Sequence, residues 1–314
     1  MRTLAPRRIS PGEALALGPA LLARAEEAGV PYLAAGVVHG PAVLLGAGQR
    51  AGRVVRLDAC AAGGVAVLRR ATAGTAAYVG ARAIVWTLAL PHVASLVPDA
   101  TARTILNRNV RGFLDGLRRA GAVAHYFGRE WISVRHRPAA LLGFEVSPGG
   151  AVLIEVIAGV DAPVALPEAI ATEDERAVDR WTGKTPAALG EMVTGDPQEL
   201  AAAVMVAVAQ RDRGPVEEVA PIEVIPQPEV TREDDPMPAG FVAGAGTRVP
   251  IGWIDVGADP TSRRVWLGGD VLIPSHVLAA LAVGEVNPAG VPVEGATLAD
   301  LREAVRRARA TSPG

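Results

Sequence analysis

Lysine is almost absent from this sequence of 314 residues: Lys184 stands alone against a large complement of arginine. Any chemistry that needs a primary ammonium therefore has one candidate. Cysteine is equally scarce, with Cys60 alone, so no internal disulfide can close and a cysteine-based zinc site is excluded. A reducing compartment, the cytoplasm, is the expected location. Net charge is -2 and the sequence pI about 6.2, which leaves no global positive field to gather phosphate backbones. Nucleic acid is not an expected partner. Long apolar runs are missing as well: Ala83 to Leu90 and Leu200 to Ala209 fall short of the roughly 20 residues that cross a bilayer. No membrane span is expected. Arg2, Arg7 and Arg8 are followed by Pro11, Gly12 and Glu13 before any apolar run of signal-peptide length, so export is not expected either.

What the chain does have is apolar residues in half of its positions, enough at this length for two compact domains. Ser10 can cap a helix with Pro11 first and Glu13 third, and Gly29 and Pro31 end it. Short β-rich runs follow at Tyr32 to Val38, Ala42 to Leu45, Val65 to Leu68, Ala76 to Val79 and Ile84 to Leu90, separated by glycine-bearing turns. From Asp99 to Ala120, Ile105, Val110, Phe113, Leu114 and Leu117 fall at helical spacing and Gly121 closes the segment. One long amphipathic helix is expected there. Further strands are expected at Val123 to Tyr126, Trp131 to Val134, Ala140 to Val146 and Val152 to Ala158, with Ser147 to Gly150 as a hairpin turn.

Pro197 to Gln210 reads as a helix, after which proline and acid displace periodicity up to Thr247. Two strands at Gly252 to Val256 and Arg264 to Leu267 and two helices at Pro274 to Ala282 and Leu298 to Ala308 complete the chain. The fold class expected is α+β. The organisation expected is a mixed-sheet domain over residues 1–212, a Pro/acid-rich linker over 213–247 and a small α+β accessory domain over 248–314.

Three ordered patterns carry a resemblance. Val43 to Gln49 followed by Gly64 to Tyr78 holds a strand, the pair Arg69-Arg70 and the loop Ala73-Gly74-Thr75. Gly128-Arg129-Glu130-Trp131-Ile132 comes next, with Gly143 and then Gly159-Val160-Asp161 downstream. The last comprises Gly252-Trp253-Ile254, Val265 to Asp270 and a helix ending near Gly284. Together they resemble the lipoate-protein ligase family, which shares its catalytic fold with biotin ligases and octanoyltransferases. The resemblance implies a mixed-sheet catalytic-type domain with an accessory domain. It also implies activation of an acid by ATP and magnesium to an acyl-adenylate, then transfer to the lysine of a lipoyl or acyl carrier domain.

Such chemistry must neutralise a carboxylate and a phosphate at once, using a glycine-rich loop, an arginine, magnesium and a lysine. This sequence departs at nearly every one of those positions. The family's triple glycine falls on Ala73-Gly74-Thr75, its histidine on Val79, its Asn-Asp pair on Glu130-Trp131 and its lysine on Ala140. Arg135 and Arg137 are near in sequence, but a guanidinium fork does not replace an ammonium point charge without loss. The expected protein is a ligase-like chain with a degenerate site that binds an acyl or lipoyl ligand or a carrier partner. The alternatives are an active ligase or acyltransferase with displaced groups, which alone would use ATP and magnesium, and a scaffold or assembly component.

Candidate ligand-binding residues are Arg70, Thr72, Gly74, Thr75, Tyr78, Glu130 and Gly143. Each also has a plainer structural reading. Arg70 can be a surface arginine at a strand end, and Thr72 to Thr75 an ordinary hairpin turn. His125 and His136 lie in neighbouring segments, but two histidines without a third ligand make a poor metal site. Cys60 reads as a small buried apolar residue. Lys184 follows Gly183, yet Asp179 and Val178 occupy the positions where a phosphate loop needs its earlier glycine. Trp181 is expected to pack that segment against the main domain.

Overall fold

The computed structural model describes residues 1–262, 264–283 and 296–311. Ser10 Oγ accepts from Glu13 N–H and Glu13 Oε2 accepts from Ser10 N–H at 2.8 Å, a reciprocal cap that starts the helix Pro11–Ala28. Gly29, at φ 66°, closes it by donating to Ala25 O.

That helix lies on one face of a nine-stranded sheet. Its central strands, Tyr32–His39, Arg82–Leu90, Val152–Gly159, Arg137–Val146, Trp131–Val134 and Ala124–Tyr126, run antiparallel in that spatial order. Side chains alternate across the pleat, so Ala83, Val85 and Ala89 join Leu15, Leu17 and Leu21 on one face. Ile84, Trp86, Leu88 and Leu90 join Phe113, Leu117, Val204 and Val208 on the other. Both faces are therefore covered.

The second covering layer is the helix pair Arg111–Arg119 and Pro197–Ala209. A Cβ on Gly112 or Gly116 would come within 2.8 or 2.5 Å of the Cα of Val208 or Val204, so glycine is what allows these helices to cross so closely. The single helix expected over Asp99 to Ala120 is divided. Thr101 and Thr104 cap a 3-10 turn at Ala102–Thr104, and Ile105–Asn109 and Arg111–Arg119 follow, joined through Val110.

Two smaller sheets flank the main one. Ala42–Leu45 is central in the first, parallel to Ala66–Arg69 and antiparallel to Ala77–Val79. Gly252–Ala258 is central in the second, beside Thr247–Val249, Val265–Gly269 and the short Val242–Ala243. The helices Ser275–Val283 and Leu298–Thr311 pack on this last sheet. Gly284, expected to close the first of them, lies outside the described residues. One apolar cluster runs from Trp86 and Phe144 to Ile254, Leu272 and Leu301, so the C-terminal elements share a core with the main sheet.

Of the stretch 213–247, expected as a linker, Val242–Ala243 and Thr247 belong to the C-terminal sheet, and the part before them has little regular structure and is tied along the body. Glu217–Glu218 pairs in parallel with Arg2–Thr3, Gln227 N–H donates to Gly12 O at 3.0 Å and Val230 N–H to Val67 O at 2.7 Å.

Candidate functional site

The strand Ala66–Arg69 ends at one arginine and is followed at once by another, and the two make different contacts. Arg69 turns toward the 46–49 loop, donating to Gly46 O at 3.2 Å, Ala47 O at 3.3 Å and Gln49 O at 2.5 Å. Arg70 turns inward and is 1% exposed. It is not the surface residue its plainer reading supposes. Its Nη1 donates to Thr72 Oγ1 at 2.7 Å and Ala73 O at 3.2 Å, and its Nη2 to Thr75 O at 2.6 Å. Burial pushes the guanidinium down to about 10, with the carboxylate of Glu155 opposing that shift.

Glu155 is the buried counter-charge. It sits in the apolar strand Val152–Gly159, accepts from Thr72 Oγ1 through Oε2, and is pushed up by burial against the pull of Arg70. Arg70 Nε, Thr75 Oγ1 and Glu155 Oε1 are buried without a protein hydrogen-bond partner, and each such atom costs about 1–3 kcal/mol.

The loop carrying these groups is clasped on three sides. Ala73 N–H donates to Phe144 O at 3.0 Å, seating the loop on the strand Arg137–Val146. Gly74 adopts φ 114°, and a Cβ there would meet Leu272 Cδ2 at 2.8 Å and Leu142 O at 3.2 Å. Only glycine suits that backbone and that space. Gly46 comes close from the third side, where a Cβ would lie 1.9 Å from Gly74 O.

Arg70, Thr72, Gly74, Thr75 and Gly143 are thus brought together, and all five are buried. Glu130 approaches through its backbone, accepting from Leu142 N–H at 2.8 Å. Its carboxylate is 1% exposed, takes Arg129 Nε at 3.1 Å and is pushed up by burial against Arg129 and Arg180. Arg129 lies 4.4 Å over the Trp131 ring, which packs on Trp181 at 5.5 Å. Tyr78 does not join this group. It lies half-buried on the smaller sheet, packed against the cluster of Val43, Leu45 and Cys60.

The other positions singled out in the sequence fall elsewhere. Ala140 is 1% exposed between Ala158 and Ile132. Cys60 is buried, and burial together with Asp58 pushes its thiol up. His125 and His136 stack at 6.0 Å; no group of three His, Cys, Asp or Glu side chains that could hold a metal occurs among the described residues. Lys184 is exposed, its Nζ 5.7 Å from the Phe127 ring centre. Among the described residues no helix is long and apolar enough to cross a membrane.

A second buried polar network went unnoticed in the sequence. Asp270 accepts from Gln49 Nε2, from Trp253 N–H at 2.8 Å and from Arg180 Nη2 at 3.3 Å. Arg180 also holds both oxygens of Glu175 at 2.8 Å and donates to Ile251 O at 2.6 Å. Burial works against its charge, but Glu175 and Asp270 outweigh that and raise its pKa. The network fastens the C-terminal sheet onto the 46–49 loop, where Gly269 N–H donates to Gly48 O at 2.7 Å. One signal was available for Glu155, a lone carboxylate inside an apolar strand. None marked Gln49.

The family model described as the lipoyl protein ligase A/B catalytic domain matches residues 10–143. No curated protein sequence matches the chain. Among solved structures, the bi-partite lipoate protein ligase of Thermoplasma acidophilum, studied with its E2 lipoyl domain, is similar at 16% identity and TM-score 0.56, covering 71% of this chain and 89% of that one. A lipoate-protein ligase A bound with ATP is similar at 18% identity and TM-score 0.56, with 71% and 89% covered. The P. falciparum LipL1 in complex with lipoate gives 13% identity and TM-score 0.58, with 84% and 82% covered. At these identities the structures establish a shared fold. Residues 10–143 thus match the lipoyl protein ligase A/B catalytic-domain model, and the chain as a whole is an α+β protein with the fold of the biotin and lipoate ligases.

Proposed function

We propose that this chain is a non-catalytic member of that family, acting by docking a protein partner of the lipoyl or acyl-carrier kind rather than by forming an acyl-adenylate. The observation that carries the reading is the closure of Arg70, which directs donors to Thr72 Oγ1, Ala73 O and Thr75 O while 1% exposed. Both Nη groups are engaged and the unpartnered Nε is itself buried, so the guanidinium presents no accessible fork to a phosphate. ATP and magnesium do not fit the residues present. Glu130 is buried and paired with Arg129, Trp131 supplies no ligand oxygen, and a methyl group at Ala140 stands where the resemblance implies a lysine.

Losing a single charge-stabilising donor costs roughly 3 kcal/mol in a transition state, so several losses together remove ordinary ligation. The relative studied with its E2 lipoyl domain supports a carrier domain as the class of partner. The residues 1–212 and 248–314 act in this reading as a ligase-type domain and an accessory domain, fastened by the Asp270 network.

Isothermal titration with ATP, lipoate and a non-hydrolysable lipoyl-adenylate analogue tests the closed site, and titration with a lipoyl domain tests the partner. No heat from the small molecules and a saturable signal with the domain are expected. Pyrophosphate exchange dependent on lipoate would refute the non-catalytic reading.

A further inference from the structure

The open end of the main sheet carries a feature that the closed site does not explain. Beside the terminal strand Ala124–Tyr126 lies an open groove of about 280 Å³, lined by Arg111, Arg118, Arg211, His125, Tyr126 and Phe127 among others. Three arginines meet there against one carboxylate: Asp115 pairs with Arg211 and lies 3.5 Å from Arg118. Arg111 makes no hydrogen bond or ion pair among the described residues. The chain as a whole has a net charge of -2, so this excess of cations is local to the groove.

Apolar surface accompanies the charge. Phe127 is 58% exposed and Val123, at the other end of the same strand, 56% exposed. An exposed aromatic ring normally loses freedom on binding, but Phe127 is already fixed. His125 stacks on it at 5.7 Å, His136 stacks on His125 at 6.0 Å, and Lys184 Nζ approaches the ring at 5.7 Å. His136 reaches that position from a turn in which Arg135 and His136 take φ 49° and 64°. Two-residue hairpin turns of this hand favour Asn and Gly, and a bulkier residue in the left-handed region costs about 1–2 kcal/mol. That turn places a third ring in the stack.

A fixed aromatic anchor within a ring of cations has the make-up of a protein-recognition surface, whose energy concentrates in a few rigid side chains while charge steers the encounter. Building on the docking reading above, we infer that this groove receives an acidic segment of the partner. Its carboxylates pair with Arg111, Arg118 and Arg211, and an apolar side chain packs on Phe127.

Fluorescence anisotropy of a labelled peptide, with Asp and Glu flanking a central Leu and titrated with the full chain, tests the assignment. Saturable binding is expected, weakening roughly tenfold as ionic strength rises from about 0.05 to about 0.2 M. Arg111→Glu and Phe127→Ala should each weaken it by roughly tenfold; melting is unchanged in Arg111→Glu, whose side chain is exposed, and circular dichroism checks that Phe127→Ala, which loses its stack on His125, remains folded. Absence of saturable binding, or binding that both variants leave intact, overturns the inference. A lipoyl-domain interaction that persists in both variants overturns the groove and leaves the docking reading standing. Peptide binding that both variants abolish, in a chain that binds no carrier domain, supports the groove and sinks the carrier reading.

Discussion

The guanidinium of Arg70 occupies the space in which a side chain on Gly143 would begin: an added Cβ would lie 1.7 Å from Arg70 Nη1 and 2.5 Å from Thr72 Oγ1. The arginine cannot swing away, because it is buried and held by three acceptors. Gly143→Ala should therefore destabilise the chain by at least the 1–3 kcal/mol typical of overpacking. A lower urea midpoint at unchanged slope is the expected result; an unmoved midpoint would mean that Arg70 does not lie over Gly143.

Arg70 and Glu155 should also behave as one unit. Removing Glu155 alone, as in Glu155→Leu, leaves a buried guanidinium without its counter-charge, a loss of about 3–5 kcal/mol. Arg70→Met combined with Glu155→Leu should cost clearly less than the two single changes summed, with a coupling of about 1 kcal/mol or more. Additive losses in chemical denaturation would dissolve the pair.

Restoring the lysine implied by the family resemblance should not restore chemistry. Ala140 lies between Ala158 and Ile132 in the apolar cluster at 1% exposure, so Ala140→Lys buries an ammonium with no partner at a cost of several kcal/mol. The expected outcome is a lower melting temperature and no lipoate-dependent pyrophosphate exchange. Exchange regained in this variant would show a reachable pocket and undo the non-catalytic reading.

Local features of this architecture were readable, and long-range ones were not. The cap formed by Ser10 and Glu13 and the strand at Ile84 to Leu90 follow from neighbouring residues alone. The grouping of Arg70, Thr72, Gly74, Thr75 and Gly143 came from resemblance to a family. It could be anticipated only because strand order is inherited with the fold. Tyr78 was drawn in by its nearness in sequence, yet it sits on the smaller sheet. The Gln49 and Asp270 contact joins positions 221 residues apart. It depends on how the C-terminal sheet docks, which no local pattern encodes. The Thr101 and Thr104 cap accounts for the 3-10 start of the segment expected as one helix; at Val110 the backbone stays helical, with Val110 N–H donating to Leu106 O and Leu114 N–H to Val110 O, so the apolar spacing reads through it.

The docking of that C-terminal sheet should be sensitive to pH through Asp255. Burial pushes its carboxyl up to about 6, repulsion from Asp270 adds to the shift, and Arg53 opposes it. Arg53 Nε comes within 2.5 Å of Asp255 Oδ1, but neither atom completes a hydrogen bond, so the ion pair compensates poorly for the burial. In the unfolded chain the same group titrates near 3.9. Between about pH 4 and pH 6 the folded state therefore holds the proton more firmly, and this group's contribution to stability falls as pH rises. Above about pH 6 the penalty is fully present and constant. Asp255→Asn removes the titration. On going from about pH 4 to about pH 7 its stability relative to the natural chain should improve by on the order of 2–3 kcal/mol. Urea midpoints of the two proteins at both pH values measure this, and parallel pH profiles would show that Asp255 titrates normally beside Arg53.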